Sequence, residues 1–64
     1  MEKTRFIKRN NEDLRMFLDY LRTSCTKAVI NTERVDINPN LLYIEIAAPE
    51  PDMFFIENSM AALS

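Results

Sequence analysis

The chain has 64 residues, of which 47% are hydrophobic and 28% are charged, and its formal net charge is −2. This composition is typical of globular proteins and excludes an intrinsically disordered chain. The length predicts one small domain over residues 1–64. Because a chain of this size buries only about 60% of the surface that its unfolded form exposes, we expect marginal stability.

The residues that usually reinforce small domains are scarce in this sequence. Cys25 is the only cysteine, so no disulfide can form within the chain, and there is no histidine to bind a metal. We therefore expect no metal and no cofactor, and oligomerisation remains as a source of extra stability. Glycine is also missing, so asparagine is the expected residue wherever a turn needs a positive φ.

The N-terminal segment contains charged residues and no long apolar stretch after them. A signal peptide needs such a stretch, and a membrane-spanning helix needs about 18 predominantly apolar residues in a row. The sequence therefore predicts a cytoplasmic protein that does not enter a membrane. The single thiol fits a reducing compartment.

The strongest predicted element is a helix over residues 12–27, with Asn11 as its N-cap. Its apolar residues recur every three or four positions, which is typical of a helix with one buried face. Cys25 lies on this face, where we expect a small buried hydrophobe and not a reactive thiol. A second apolar patch, Met16 and Tyr20, lies on another face. The buried face consists of Leu14, Phe17, Leu18, Leu21, Cys25 and Ala28.

Three antiparallel strands are predicted after the helix. Residues 34–37 alternate between polar and apolar, residues 38–40 form a hairpin turn around Pro39, and residues 41–47 are rich in β-branched and aromatic side chains. Pro49 and Pro51 interrupt the sheet because proline cannot donate a ladder hydrogen bond, and residues 53–57 form the last strand. The expected fold is α+β: one amphipathic helix followed by a three-stranded antiparallel sheet. A weak extra edge strand is predicted over residues 4–8, and the tail has room for one more helical turn.

No motif in the sequence indicates catalysis. The ten acidic residues are not framed by a metal-binding or nucleophile motif, and phosphate-binding loops need glycines that the chain lacks. We therefore expect a protein that is not an enzyme and that acts by binding another macromolecule.

The predicted sheet has more apolar residues than one helix can cover. Side chains alternate between the two faces of a strand, and here both faces are largely apolar. The uncovered face predicts a homodimer, because a second copy supplies a matching surface. The residues expected on this face are Leu41, Tyr43, Met53 and Phe55.

Charge is distributed unevenly along the chain. Residues 1–28 contain seven basic and four acidic residues, a net of +3, whereas residues 29–64 contain one basic and six acidic residues, a net of −5. The predicted second hairpin, with Glu50 and Asp52 beside aromatic side chains, is an acidic surface for a basic partner protein. These features suit a regulatory module, an inhibitor or adaptor of a larger protein, including one encoded by a virus.

Nucleic-acid binding is the alternative function. It would use the basic N-terminal arm, in which four basic residues surround Phe6. The negative net charge argues against it, since affinity for phosphates grows with the number of positive contacts. The candidate residues are Lys3, Arg5, Lys8 and Arg9.

Overall fold

The computed structural model describes residues 1–63, which form three strands and two helices. The elements in chain order are β1 (Glu2–Arg9), α1 (Glu12–Ser24), β2 (Val29–Arg34), β3 (Leu41–Ala48) and α2 (Glu50–Ala62). β3 is the central strand and pairs antiparallel with β1 on one side and β2 on the other. The α+β class and the three-stranded antiparallel sheet are confirmed, whereas the predicted order of one helix followed by three strands is wrong.

α1 begins as the sequence predicts. Asn11 is extended, and its Oδ1 accepts a hydrogen bond of 2.9 Å from the backbone N–H of Leu14. The helix ends at Ser24, three residues before the predicted end. Near that end the hydroxyl of Thr23 bonds back to the carbonyls of Asp19 and Tyr20, a contact that competes with regular helix geometry. Cys25 is the C-cap, and its N–H donates to the carbonyl of Leu21 at 2.8 Å.

The weak N-terminal strand is confirmed and is longer than predicted. β1 covers Glu2–Arg9 and lies at one edge of the sheet, where its eight residues pair with the whole of β3. Side chains alternate along it, so that Phe6 packs against the core and Ile7 is exposed. Charged side chains on such an edge discourage pairing with a further strand.

The predicted strand over residues 34–37 is wrong, and the correct strand is β2, Val29–Arg34. The following residues form two successive turns instead. The N–H of Asn38 donates to the carbonyl of Val35 at 3.1 Å, and the N–H of Leu41 donates to the carbonyl of Asn38 at 3.0 Å. The second turn is the predicted one, and the Oδ1 of Asn38 supports it by accepting from the N–H of Asn40 at 3.0 Å. Local turn chemistry therefore overrides the short polar–apolar alternation.

None of the residues 1–63 has a positive φ. The turns are of types that any residue can adopt, so neither glycine nor a left-handed asparagine is needed. This is how a chain without glycine connects five elements.

The predicted strand over residues 53–57 is also wrong, because this segment is the middle of α2. A proline in the first helical turn loses no hydrogen bond there, and Pro51 occupies that turn. Glu50 and Asp52 lie in the same turn, where carboxylates interact favourably with the helix dipole. The buried residues Met53 and Ile56 are three apart, as one face of a helix requires. The acidic hairpin therefore does not exist, and Glu50 and Asp52 lie on a helix.

Both helices pack on the same face of the sheet. The core lies between them and β3, which contributes Ile44, Ile46 and Ala48. Two hydrogen bonds connect β1 to α2 and to its C-cap, Leu63. The Nζ of Lys8 donates to the carbonyl of Leu63 at 2.9 Å, and Thr4 Oγ1 donates to Glu57 Oε2 at 3.4 Å. Within residues 1–63 neither 13-residue helix is long and apolar enough to cross a membrane. The helices contribute Leu14, Leu18, Leu21, Met53, Ile56 and Met60 to the core.

Alanine substitutions test whether residues 53 and 54 belong to a helix, as in the structure, or to a strand. Met53 is fully buried, so Met53→Ala should destabilise the fold by about 2–5 kcal/mol. Phe54 is 71% exposed, and Phe54→Ala should change stability by less than about 0.5 kcal/mol. Urea denaturation measures both, and Met53→Leu, which conserves volume, should fold like the wild type. Equal losses at the two positions would contradict this register.

Candidate protein-interaction surfaces

The sheet face opposite the helices is uncovered, and we call it the open face. Its central strand contributes Leu41 and Tyr43, which are half-buried by their neighbours. The edge strands add Ile7, which is 60% exposed, and Val29, which is 55% exposed. Ile7, Tyr43 and Leu41 form an apolar centre on β1 and β3, and the polar row of Arg5, Glu45 and Asn31 separates it from Val29. The strand register assigns to this face Lys3, Arg5, Ile7 and Arg9 of β1, Leu41, Tyr43, Glu45 and Ala47 of β3, and Val29, Asn31 and Glu33 of β2.

The charges of the open face are divided between its two edges. β1 contributes three basic side chains, whereas β2 contributes Glu33 and no basic residue. Between them, Glu45 on β3 makes ion pairs with Lys3, whose Nζ is 3.8 Å from its Oε1, and with Arg5, whose Nε is 3.3 Å from its Oε2. Exposed pairs of this kind stabilise a fold by at most about 1 kcal/mol. These two ion pairs do, however, neutralise part of the positive charge along β1, the basic edge of the open face.

The four basic residues considered for nucleic-acid binding do not share one surface. Lys3, Arg5 and Arg9 lie on the open face. Lys8 points to the other side of the sheet, where its ammonium group hydrogen-bonds to the C-terminal end of the chain at Leu63. The structure therefore brings three of them together, and two of the three are paired with Glu45.

A second surface lies on the outside of the two helices, where three aromatic rings meet. The ring centroid of Phe17 is 6.5 Å from that of Tyr20 and 6.1 Å from that of Phe55, and Tyr20 and Phe55 are 6.3 Å apart. Tyr20 is 52% exposed and Phe55 is 44% exposed. The neighbouring Met16 is 62% exposed and lies one turn before Tyr20 on α1. We call Met16, Phe17, Tyr20 and Phe55 the aromatic patch.

The residues predicted for partner binding are divided between these surfaces. Leu41 and Tyr43 lie on the open face, and Phe55 lies in the aromatic patch. Glu50 and Asp52 lie in the first turn of α2. Met53 is in the core and has no exposed surface, because this segment is a helix and not a strand.

Several surface residues escaped the sequence analysis. Ile7 could have been found from the alternation along the predicted edge strand, in which it follows Phe6. Val29 had no such signal, since the strand containing it was not predicted. The contact between Phe17 and Phe55 joins two elements, so no local pattern in the sequence could reveal it.

Cys25 is partly buried at the end of α1 and packs against the core. Partial burial, and secondarily the negative charge of Asp52, raise the pKa of its thiol. A raised pKa keeps the thiol protonated and weakly nucleophilic near neutral pH. Among residues 1–63 there is no group of three or more His, Cys, Asp or Glu side chains that could hold a metal ion.

An open groove of about 240 Å³ lies between α1 and β2. Its floor is apolar, and two arginines of α1 line its rim. Arg22 Nη1 is 3.3 Å from Asp19 Oδ1, and Arg15 Nη1 is 3.4 Å from Asn10 Oδ1. Both arginines therefore already have partners within the chain. The lining residues are Asn10, Arg15, Leu18, Asp19, Arg22, Thr32 and Leu42.

Comparison with protein-family models, with curated proteins and with solved structures found no match for this chain.

The contribution of Asp52 to the pKa of Cys25 is testable by alkylation. Asp52→Asn removes a charge that disfavours the thiolate, so the thiol pKa should fall and iodoacetamide should react faster at mildly alkaline pH. The pH–rate profile measures this shift. Glu50→Gln is the control, because it removes a carboxylate from the same helical turn. An identical profile for Asp52→Asn and wild type would contradict the assignment.

Proposed function

We propose that this chain is a non-enzymatic protein–protein interaction module that acts as a homodimer through its open face and regulates a larger protein as an inhibitor or adaptor. The observation that carries the proposal is the placement of both helices on one side of the sheet. It leaves the apolar centre formed by Ile7, Tyr43 and Leu41 without a covering element.

The apolar centre provides a driving force for association. Burial of a large apolar side chain that is otherwise exposed contributes about 1.5–3 kcal/mol. Ile7 and Val29 are more than half exposed and have the most to gain, whereas the half-buried Tyr43 and Leu41 gain less. In a domain of marginal stability, this contribution is large relative to the total free energy of unfolding.

The charges of the open face suit a second copy of the same chain. A two-fold axis parallel to the strands would stack β1 of each copy over β2 of the other. Glu33 would then lie opposite Ile7 of the other copy and between its Arg5 and Arg9. An axis across the strands would stack β1 on β1 and oppose like charges. The first arrangement also brings Tyr43 and Glu45 of each copy close to the axis. The two Tyr43 rings pack together there, and each Glu45 keeps its ion pairs with Lys3 and Arg5 of its own chain, which offsets the repulsion between the two carboxylates.

The size of the open face sets the expected affinity. Strands spaced by about 4.8 Å, with a rise of about 3.3 Å per residue, give a flat area of roughly 400 Å² for three strands of eight residues or fewer. Stable interfaces usually bury about 800 Å² of accessible surface per partner. We therefore expect a dimer at the weak end of specific interfaces, with micromolar dissociation.

Sedimentation over a concentration series tests the dimer. Ile7→Glu should abolish association without unfolding the chain, because Ile7 is 60% exposed and the new carboxylate would lie opposite Glu33 of the other copy. Phe54→Glu is the matched control: it adds the same charge at an exposed site on the helix side and should leave the dimer intact. A wild-type chain that stays monomeric at about 100 μM, well above the expected dissociation constant, would refute the dimer.

Charge reversal tests the orientation of the two copies. Glu33→Arg and Arg9→Glu should each weaken the dimer by about threefold to tenfold, since each opposes like charges across the interface. The double variant should recover part of the affinity, because the attraction is restored with reversed sign. No recovery in the double variant would exclude the axis parallel to the strands.

Nucleic-acid binding has less support as the function. Glu45 neutralises part of the basic cluster, and Lys8 lies on the other side of the sheet. Phosphate binding needs several free positive charges on one surface. A gel shift in low salt that Arg5→Ala and Arg9→Ala abolish would favour this alternative over the dimer.

A further inference from the structure

The helices and the strands carry opposite net charges. α1 and α2 together contain two basic and six acidic residues, a net of −4, whereas the three strands contain five basic and three acidic residues, a net of +2. α2 contains no basic residue. The outer side of the molecule that exposes the aromatic patch is therefore also its acidic side.

Two carboxylates flank the aromatic patch. Asp13 lies one turn before Phe17 on α1, and Asp52 lies three residues before Phe55 on α2, so each shares a helical face with its aromatic neighbour. The two arginines of α1 lie on the opposite flank of that helix, where they line the groove beside β2. The patch thus combines exposed aromatic rings with negative charge and has no basic residue of either helix beside it.

α2 is apolar on more than one side. Its buried face packs on the core through Met53, Ile56 and Met60, yet Phe54 is 71% exposed and Phe55 is 44% exposed. A helix that is apolar on several sides is typical of an element buried on several sides. The exposed part of α2 therefore has an aromatic composition that is typical of protein interfaces.

We propose that the aromatic patch, with Asp13 and Asp52, binds a basic amphipathic segment of a partner protein. Its apolar side chains pack on the rings of Tyr20 and Phe55, and its Lys or Arg side chains reach the two carboxylates and the ring faces. The three ring centroids lie 6.1–6.5 Å from one another, so the surface suits a helix laid across it and not a single cation inserted between the rings. This inference rests on the proposed role as an interaction module and names the chemistry of the partner.

A synthetic peptide tests the inference directly. The probe is about 18 residues long, or about five helical turns, with Leu on one helical face and Lys on the other. Amide chemical-shift mapping should place its binding on α1 and α2 around Phe17, Tyr20 and Phe55. Added salt should weaken binding, and a peptide with Glu in place of Lys should not bind.

Matched charge reversals test whether the peptide is attracted by the two carboxylates beside the patch or only by the overall negative charge of the helices. Asp13→Lys with Asp52→Lys should weaken binding by about tenfold. Glu50→Lys with Glu57→Lys makes the same change of charge on the side of α2 away from Phe55, and should weaken binding by less than about threefold. Equal losses for the two pairs, equal affinity for the Lys and Glu peptides, or no binding of the Lys peptide would each overturn the proposal.

The Ile7→Glu variant separates this proposal from the dimer. Because Ile7 lies on the open face, a monomeric Ile7→Glu chain should still bind the peptide through its helices. Tyr20→Ser with Phe55→Ser should lose peptide binding and keep the dimer. Loss of the dimer in that variant, without any peptide binding, would assign the patch to a second copy of the chain and overturn the proposal.

Discussion

The structure depends on the burial of one face of the central strand β3. Ile44, Ile46 and Ala48 are completely inaccessible, and both helices pack on them. Residues 1–63 form two helices of 13 residues each, and both pack on this one side. Tyr43 and Leu41 alternate with the buried residues and therefore face the other way. The same sequence pattern that forms the core thus places Leu41 and Tyr43 on the opposite face.

The elements that the sequence predicts well are those determined by local chemistry. α1 has an N-cap side chain and a regular apolar stripe, and β3 has a dense run of β-branched and aromatic residues. α2 was missed because its apolar residues lie on several sides, so no periodic contrast marks it as a helix. Its residues Phe54, Phe55 and Ile56 favour a strand intrinsically. Packing of Met53 and Ile56 against β3, together with a proline that suits the first helical turn, decides the outcome.

The candidate surfaces were predictable only where one element determines them. Alternation along β3 indicates that Tyr43 is on the opposite face from Ile44, and the structure agrees. The aromatic patch depends on the secondary structure of α2 and on the flank of α1 that faces it, which are properties of the tertiary fold. The sequence indicates a charge difference between the two halves of the chain. In three dimensions the charge difference lies between the sheet, which has a positive net charge, and the helices, which have a negative one. β1 and α1 are both N-terminal, but β1 belongs to the positive sheet and α1 to the negative helix layer.

The positions of the two surfaces have a consequence for regulation. A dimer joined through the open faces would carry its two helix layers on the outside, so that two aromatic patches are available at once. A partner with two basic segments could then bind both copies, and the second contact would be strengthened by effective concentration without any new interaction. A monomer has one patch and lacks this advantage. Weak self-association of the sheet face would therefore make partner binding depend on the concentration of this chain, which is a means of regulation that needs no catalytic or metal site.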